Sequence, residues 1–206
     1  DISHIYSRGS RSIEESNAIT NMKKFIALIA ICTFIFLAQC AKEHDTTFLI
    51  SNSKVGKLDK ISLVRDLNII YEQDSIVKDT MKLALGFGAR SINVYEKGGS
   101  HLLTLTPNTD SIPKVQNVRV NDPRFKTEKG IGLNSTFKDI KNNYTIQKIV
   151  TSINNIVIFV KDSDVYFTID KSELPASLRY VSSPTIDAVQ VPDDAKIKYL
   201  MVGWEH

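Results

Sequence analysis

An uncharged apolar run occupies residues 25–38, near the start of the chain. Two lysines precede it, and a polar glutamine follows it. A helix that crosses a bilayer needs about 20 apolar residues, which is more than this run contains. A basic start followed by a short apolar stretch is typical of a secretory signal that is cleaved after export. We therefore predict a signal peptide at residues 22–39. Residues 1–21 are polar and show no hydrophobic period, so we interpret them as a non-native extension upstream of the natural start.

The residues at the end of this run favour lipid attachment. Leu37, Ala38 and Gln39 directly precede Cys40, and together they resemble the lipobox of bacterial lipoproteins. The resemblance implies that the thiol of Cys40 carries lipid, with acyl chains such as palmitate, and that Cys40 becomes the first mature residue. Each buried methylene contributes about 0.8 kcal/mol, so several chains would hold the protein on a membrane without a spanning helix. We expect a cell-envelope lipoprotein of the outer membrane that faces the periplasm or is exposed at the surface.

The pattern of the exported part repeats at an offset of 73 residues, with residues 57–71 overlaying residues 130–144. Each copy has apolar residues at i, i+3 and i+7, which predicts a short amphipathic helix. The copies share five identical pairs: Ser62 and Ser135, Asp66 and Asp139, Tyr71 and Tyr144, Ile76 and Ile149, Val77 and Val150. We expect the serines to cap the helix starts and the aspartates to interact favourably with the helix dipole.

A stretch that is rich in strand-forming residues follows each helix. Residues 91–105 contain the turn pair Gly98-Gly99, and residues 156–169 fold back at Asp162-Ser163. Further strands are predicted at residues 115–120, 178–182 and 196–204. Nine extra residues in the first copy are placed within residues 79–89.

These elements predict an α+β fold of two similar halves, each a short helix packed on an antiparallel β-meander. Residues 40–47 form a polar tether between the lipid and the fold. The first repeat covers residues 48–121, and the second covers residues 122–206.

The second copy carries a family resemblance. Residues 130–140 run Gly, apolar, Gly and two further residues, then Ser and a short helix. This unit resembles the small repeat of the β-lactamase-inhibitor-protein type and of related envelope lipoproteins of unassigned function. The resemblance implies protein binding or envelope assembly and no catalytic residue. It is looser in the first half, where Lys57 and Asp59 stand at the positions of Gly130 and Gly132.

Composition excludes several classes of protein. Residues 40–206 contain 22 basic and 20 acidic residues, a balance that argues against a nucleic-acid binder. Cys32 leaves with the signal and Cys40 takes the lipid, so the exported part has no disulfide. The four histidines are not at metal-ligand spacing, and we expect no metal or cofactor.

Few residues suggest chemistry. His101 is a candidate general base if Glu96 faces it across the hairpin, and otherwise an exposed strand histidine. Arg90 and Arg119, with Arg124 and Arg179, either gather into an anion site or lie scattered on the surface. The glycines at 130 and 132 either cradle a phosphate or form a turn.

Two functions stay open from the sequence. The first is a non-enzymatic, lipid-anchored envelope protein that binds a protein or cell-wall partner. The alternative is a small-ligand-binding or hydrolytic protein with a site between the two halves. The sequence contains no nucleophile elbow, zinc-protease helix or phosphate-binding loop that would favour an enzyme.

Overall fold

The alternation of apolar and polar residues produces a strand-rich chain. The computed structural model describes residues 45–78, 91–180 and 183–205. The predicted signal peptide, Cys40, the predicted insert and Arg90 lie outside these ranges. The strands are β1 Leu49–Ile50, β2 Lys54–Val55, β3 Leu58–Asp59, β4 Ser75–Lys78, β5 Ile92–Tyr95, β6 His101–Pro107, β7 Val115–Val120, β8 Lys126–Thr127, β9 Ile146–Thr151, β10 Asn155–Val160, β11 Val165–Asp170 and β12 Ile197–Gly203.

Helices are few and short among the described residues. They are α1 Leu67–Ile70, α2 Phe137–Asn143 and α3 Ala176–Arg179, with 3-10 turns at Val64–Asp66, Lys171–Glu173 and Ala188–Gln190. In the described ranges we find no helix with the length and apolar character needed to cross a membrane.

The main sheet joins the two halves of the chain. Its eight antiparallel strands run in the order β4-β5-β6-β7-β12-β11-β10-β9. Each half contributes a four-stranded meander, and the last strands of the two meanders pair at the centre, with Val120 opposite Leu200. The predicted α+β class, with two similar halves that each combine a short helix and an antiparallel meander, is confirmed.

Equivalent hydrogen bonds show that the two copies of the repeat share a backbone arrangement as well as a sequence pattern. The N–H of Val64 donates to the carbonyl of Pro113 at 2.9 Å, and the N–H of Phe137 donates to the carbonyl of Ala195 at 2.9 Å. In both halves the start of the helix is therefore fastened to the segment that leads into the last strand of the meander.

One face of the main sheet forms the core together with the helices. Five of the six residues of the predicted stripes are buried, Leu67 and Tyr71 in the first half and Phe137, Ile140 and Tyr144 in the second, whereas Val64 is half-buried. The Tyr144 ring lies 5.8 Å from that of Phe167 on β11, which places α2 against this face. Full burial of such a side chain contributes about 1.5–3 kcal/mol, so packing accounts for most of the stability of the helices.

The predicted capping serines do not cap the helices. The hydroxyls of Ser62 and Ser135 instead accept hydrogen bonds from the backbone N–H groups three residues earlier, at 3.1 and 3.2 Å. Thr136 is the N-cap residue of α2, and its N–H donates to the carboxylate of Asp139 at 2.7 Å. The first copy has Leu63 at this position, which supplies no such hydroxyl. This difference agrees with its shorter helix, which follows a 3-10 turn.

The strand predicted at residues 178–182 is wrong over its described part. Leu178 and Arg179 belong to α3, which begins after Pro175, and the N–H of Leu178 donates to the carbonyl of Pro175 at 2.8 Å. The segment from Ala176 to Arg179 consists mainly of good helix formers, so local propensity favours a helical turn over a strand here.

A small second sheet covers one end of the core. Its strands run in the order β3-β2-β1-β8, and β1 and β8 are parallel. The first copy lacks the glycines of the second, and Gly56 makes the tight turn between β2 and β3 with φ of 57°. A Cβ at Gly56 would lie 2.5 Å from the carbonyl oxygen of Thr47, so only glycine fits without a shift.

Candidate functional site

The face of the main sheet opposite the core, which we call the open face, carries a continuous row of side chains. Strand pairing places one residue from each of the eight strands in register across the sheet. We call these residues the cross-sheet row: Val77, Asn93, Thr104, Arg119, Met201, Tyr166, Phe159 and Lys148. Seven strand spacings of about 4.8 Å make the row about 34 Å long.

The cross-sheet row is only partly shielded. Val77 and Lys148, at its two ends, are exposed, and the six residues between them are half-buried. The buried residues of α1 and α2 belong to the core on the other side of the sheet. Antiparallel sheets often leave one face to solvent, and that face is then usually polar. Here the row contains Phe159, Tyr166 and Met201 as well as polar residues.

A hydrogen-bonded polar group occupies the first-half end of this face. Nε2 of His101 lies 3.2 Å from Oγ1 of Thr104 and 3.2 Å from Nδ2 of Asn121. The hydroxyl of Thr104 donates to Oδ1 of Asn93 at 3.0 Å. The His101 ring also stacks on Tyr95, with 4.5 Å between ring centroids. These contacts fix the histidine against the sheet.

Burial lowers the pKa of His101, and the positive charge of Arg119 lowers it further, while a hydrogen bond with the Leu103 backbone opposes both effects. The imidazole is therefore neutral at neutral pH. In that state Nε2 accepts the hydrogen bond from the Asn121 amide, and the ring adds no charge to the face.

Aromatic side chains dominate the second-half end of this face. The rings of Phe159 and Tyr166 stack with 5.5 Å between centroids, and the ammonium of Lys148 lies 5.0 Å from the Phe159 centroid. The Tyr166 hydroxyl accepts a hydrogen bond from Nδ2 of Asn117 at 2.6 Å. Burial raises the pKa of Tyr166. Its hydroxyl therefore stays protonated, and the end presents flat, uncharged rings.

Arg119 lies at the junction of the two halves, where β7 pairs with β12. Its guanidinium carbon is 5.4 Å from the centroid of the Tyr199 ring. The Nε atom is shielded from solvent and has no hydrogen-bond partner among the described residues. A buried donor without a partner is costly, by about 1–3 kcal/mol. The centre of the face thus holds an unused donor.

The structure separates the residues that the sequence suggested as one site. His101 and Arg119 share the open face, whereas Arg90 lies outside the described residues. Arg124 binds Glu96 through two hydrogen bonds, at 2.7 and 3.1 Å, so this carboxylate does not orient His101. Nε of Arg179 donates to a backbone carbonyl in the second half. The three candidate arginines that the structure describes, Arg119, Arg124 and Arg179, therefore have different surroundings and do not gather into one site.

The glycines at 130 and 132 form a turn. Gly130 has φ of 78°, and its N–H donates to the carbonyl of Thr127 at 2.7 Å. The N–H of Gly132 donates to the Ser135 hydroxyl at 3.2 Å. Both donors are used within the turn, which leaves neither for a phosphate.

An open pocket of about 540 Å³ lies in the second half, near the β9–β10 turn and the end of β11. Asp170 and Lys198 form an ion pair of 2.6 Å in its wall. This hydrogen bond lowers the pKa of Asp170 to about 2. Because the charges of Asp170 and Lys198 neutralise each other, this pair offers the pocket no activated acid or base. Within the described ranges, no three His, Asp or Glu side chains gather as metal ligands.

The sequence reasoning missed most of the open face, including Asn93, Phe159, Tyr166 and Met201. A usable signal was present, because these residues alternate with the core residues of the same strands. Two further strands, β4 and β9, were missed although the identical Ile-Val pairs of the repeat lie in them.

Comparison with known proteins gives a structural likeness. No protein-family model matches the chain, and no curated protein matches it in sequence. The crystal structure of the uncharacterized protein yfeY from Escherichia coli is similar, with 12% sequence identity and a TM-score of 0.49. The likeness covers 75% of this chain and 98% of the yfeY chain.

Proposed function

We propose that this protein is a lipid-anchored cell-envelope protein that binds a protein partner on the open face of its eight-stranded sheet. The proposal assigns no reaction to it. The cross-sheet row supports the proposal most directly, because it extends over both halves and combines aromatic rings with polar groups that are only half-buried.

The residue types of the open face favour a protein as the partner. Tyr, Phe, Met and Arg are enriched at protein interfaces, whereas Lys, Glu and Asp are depleted there. The row contains one member of each of the four enriched types and a single lysine at its end. A face about 34 Å long also offers room for the roughly 800 Å² that a stable interface buries on each partner.

The unused donor of Arg119 gives the partner a defined place to bind. Because Nε is shielded from solvent, the Arg119 side chain would have to shift before a partner carbonyl or carboxylate above the β7–β12 junction could accept from it and remove the cost of the unpaired group. Stacked rings on one side and the neutral His101 group on the other would then fix its orientation. We infer that the centre of the interface lies at this junction.

The membrane part of the proposal depends on the lipobox resemblance at residues 37–40. Cys40 would carry the lipid and hold the fold at the periplasmic face of the outer membrane. Growth with an alkyne fatty acid should label the protein, and Cys40→Ala should abolish the label. An unlabelled protein of full mass would contradict the anchor without affecting the partner hypothesis.

The alternative of a small-ligand or hydrolytic site between the halves finds less support. The halves meet as paired strands, and the described pocket lies within the second half. His101 is held by hydroxyl and amide groups, which do not stabilise an imidazolium as a carboxylate does.

Site-specific photo-crosslinking in cells tests the partner. A benzophenone amino acid at Met201 should give an adduct with one protein, and Tyr166→Ala combined with Arg119→Ala should remove it. The matched control places the same probe at Lys138, which is exposed on α2 on the other side of the sheet. Adducts only with cell-wall fragments, or equal adducts at both positions, would overturn the proposal.

A further inference from the structure

Three isoleucines of the first half are exposed on ordered backbone. Ile61 and Ile69 are each 74% exposed, and Ile112 is 58% exposed. Single exposed apolar residues are common, but several in one area mark a protein or membrane contact. We call these three residues the isoleucine surface.

The internal repeat provides a control for this surface. The same fold occurs in the second half, so equivalent positions meet the same structural demands. The 73-residue offset, and the pairing of Pro113 with Ala195 as equivalent acceptors, identify the counterparts as Asn134, Asn142 and Asp194. All three counterparts are polar and exposed. The fold therefore does not require isoleucine at these positions.

The three residues belong to one area of the structure. Each lies within five positions of the hydrogen bond between Val64 N–H and the Pro113 carbonyl. The N–H of Ile61 donates to the Asp59 carboxylate at 3.1 Å. The loop that carries Ile112 is closed by a hydrogen bond of 2.9 Å from Asn108 N–H to the Lys114 carbonyl. Ile61 and Ile112 are thus presented by hydrogen-bonded turns, and Ile69 by α1.

Three of the cations near the isoleucine surface are paired. Lys57 forms a 2.8 Å ion pair with Asp74, and Lys60 forms a 2.9 Å ion pair with Asp164. Arg65, between the isoleucines, lies 3.8 Å from a carboxylate oxygen of the adjacent aspartate. Attraction to an anionic partner would need free cations, and these three are neutralised, so we expect contact here to depend mainly on apolar burial.

The predicted tether keeps this surface close to the membrane. Leu49 is the ninth residue after Cys40, and a chain of that length spans at most about 30 Å. Leu49 lies on β1, which is two strands from β3 in the small sheet, a distance of about 10 Å. Ile61 follows β3 by two residues. The chain therefore enters the fold near the isoleucine surface.

We propose that Ile61, Ile69 and Ile112 insert into the lipid interface of the membrane that carries the anchor. The inference rests on the lipid anchor of the proposed function. The acyl chains hold the protein on the bilayer, and the isoleucine surface sets which side of the fold faces it. Docking is then intramolecular, so three modest apolar contacts suffice where they would not bind a free protein.

Spin labelling of the acylated full-length protein on phosphatidylcholine vesicles tests the inference. One nitroxide replaces Arg65, and a control nitroxide replaces its repeat counterpart Lys138, both of which are exposed. We expect collisions with a water-soluble nickel relaxant to fall about threefold or more at position 65 on vesicles, and to stay unchanged at position 138. Replacing half of the lipid with phosphatidylglycerol should not change the result.

A triple variant replaces the three isoleucines with the residues found at the equivalent positions of the second half: Ile61→Asn, Ile69→Asn and Ile112→Asp. It should restore nickel access at position 65 while the protein still floats with the vesicles. If the protein with the unsubstituted isoleucine surface floats with the vesicles but position 65 is not protected from nickel, this inference is overturned and the anchor proposal is unaffected. A protein that does not float overturns both. Protection that appears without vesicles and rises with protein concentration identifies a second copy as the occupant, and also overturns the inference.

Discussion

Removing the Phe137 ring should destabilise the entire folded domain. Phe137 is fully buried at the start of α2, whereas its repeat counterpart, Val64, is half-buried. The two residues occupy equivalent positions, and each N–H bonds to the segment before the last strand of its meander. Substituting each with alanine compares the same site with and without full burial.

The expected magnitudes differ because the buried volumes differ. Phe→Ala in a closed core costs about 3–5 kcal/mol, since both transfer energy and a cavity contribute. Val64→Ala removes fewer atoms from a partly exposed place, and we expect about 1 kcal/mol. With a urea dependence of about 2 kcal/mol per molar, Phe137→Ala should lower the unfolding midpoint by roughly 1.5–2.5 M.

Two probes report the transition. Trp204 is the single tryptophan, is 1% exposed, and donates from its indole N–H to the carbonyl of Asn52 at 3.0 Å. Its fluorescence therefore follows contact between the end of β12 and the small sheet. Circular dichroism follows the strands of both halves. Because β7 and β12 pair, we expect both probes to give the same midpoint in each variant.

Several results would refute this reasoning. Separate midpoints for the two probes in the unsubstituted protein would mean that the halves unfold independently. A smaller loss for Phe137→Ala than for Val64→Ala would mean that burial does not determine the cost. Lys138→Ala, on the exposed side of α2, serves as the control and should change stability by less than about 0.5 kcal/mol.

Other substitutions give further tests, each read from urea unfolding. Gly56→Ala should cost clearly more than Gly130→Ala, because both positions have positive φ but only the first has a backbone oxygen 2.5 Å from the new Cβ; equal losses would contradict this. Tyr71→Phe should raise stability by about 1 kcal/mol, since its hydroxyl is buried without a hydrogen-bond partner in the described part of the chain, whereas Tyr144→Phe should not. The lowered pKa of His101 means that the unfolded chain binds its proton more tightly, so stability should fall as pH drops below about 6.5. His101→Gln should remove that part of the pH dependence, and an unchanged profile would refute the assignment.

The sequence predicted those parts of the fold that depend on local pattern. The i, i+3, i+7 stripes identified α1 and α2, and the turns at Gly98-Gly99 and Asp162-Ser163 identified two hairpins, because both signals lie within a dozen residues. The strand at residues 115–120 was placed correctly for the same reason, since prolines bound it on both sides.

The remaining features depend on contacts distant in sequence. Strands of two residues, such as β1 and β8, are too short to show a period, and their parallel pairing joins residues 49 and 126. The pairing of β7 with β12 brings together residues about 80 positions apart. The cross-sheet row follows from that pairing, so the sequence could suggest His101 and Arg119 singly but not the surface that they share.

The last described strand, β12, occupies the middle of the main sheet, and this affects how the protein folds. β12 supplies the partner of both β7 and β11. If the chain is exported as proposed, in the amino-to-carboxyl direction, the first meander emerges with the β7 edge unpaired until β12 has crossed. An open strand edge is a template for aggregation. A periplasmic chaperone that shields β7 during translocation would therefore protect this protein, and a premature stop codon before β12 should produce an insoluble product.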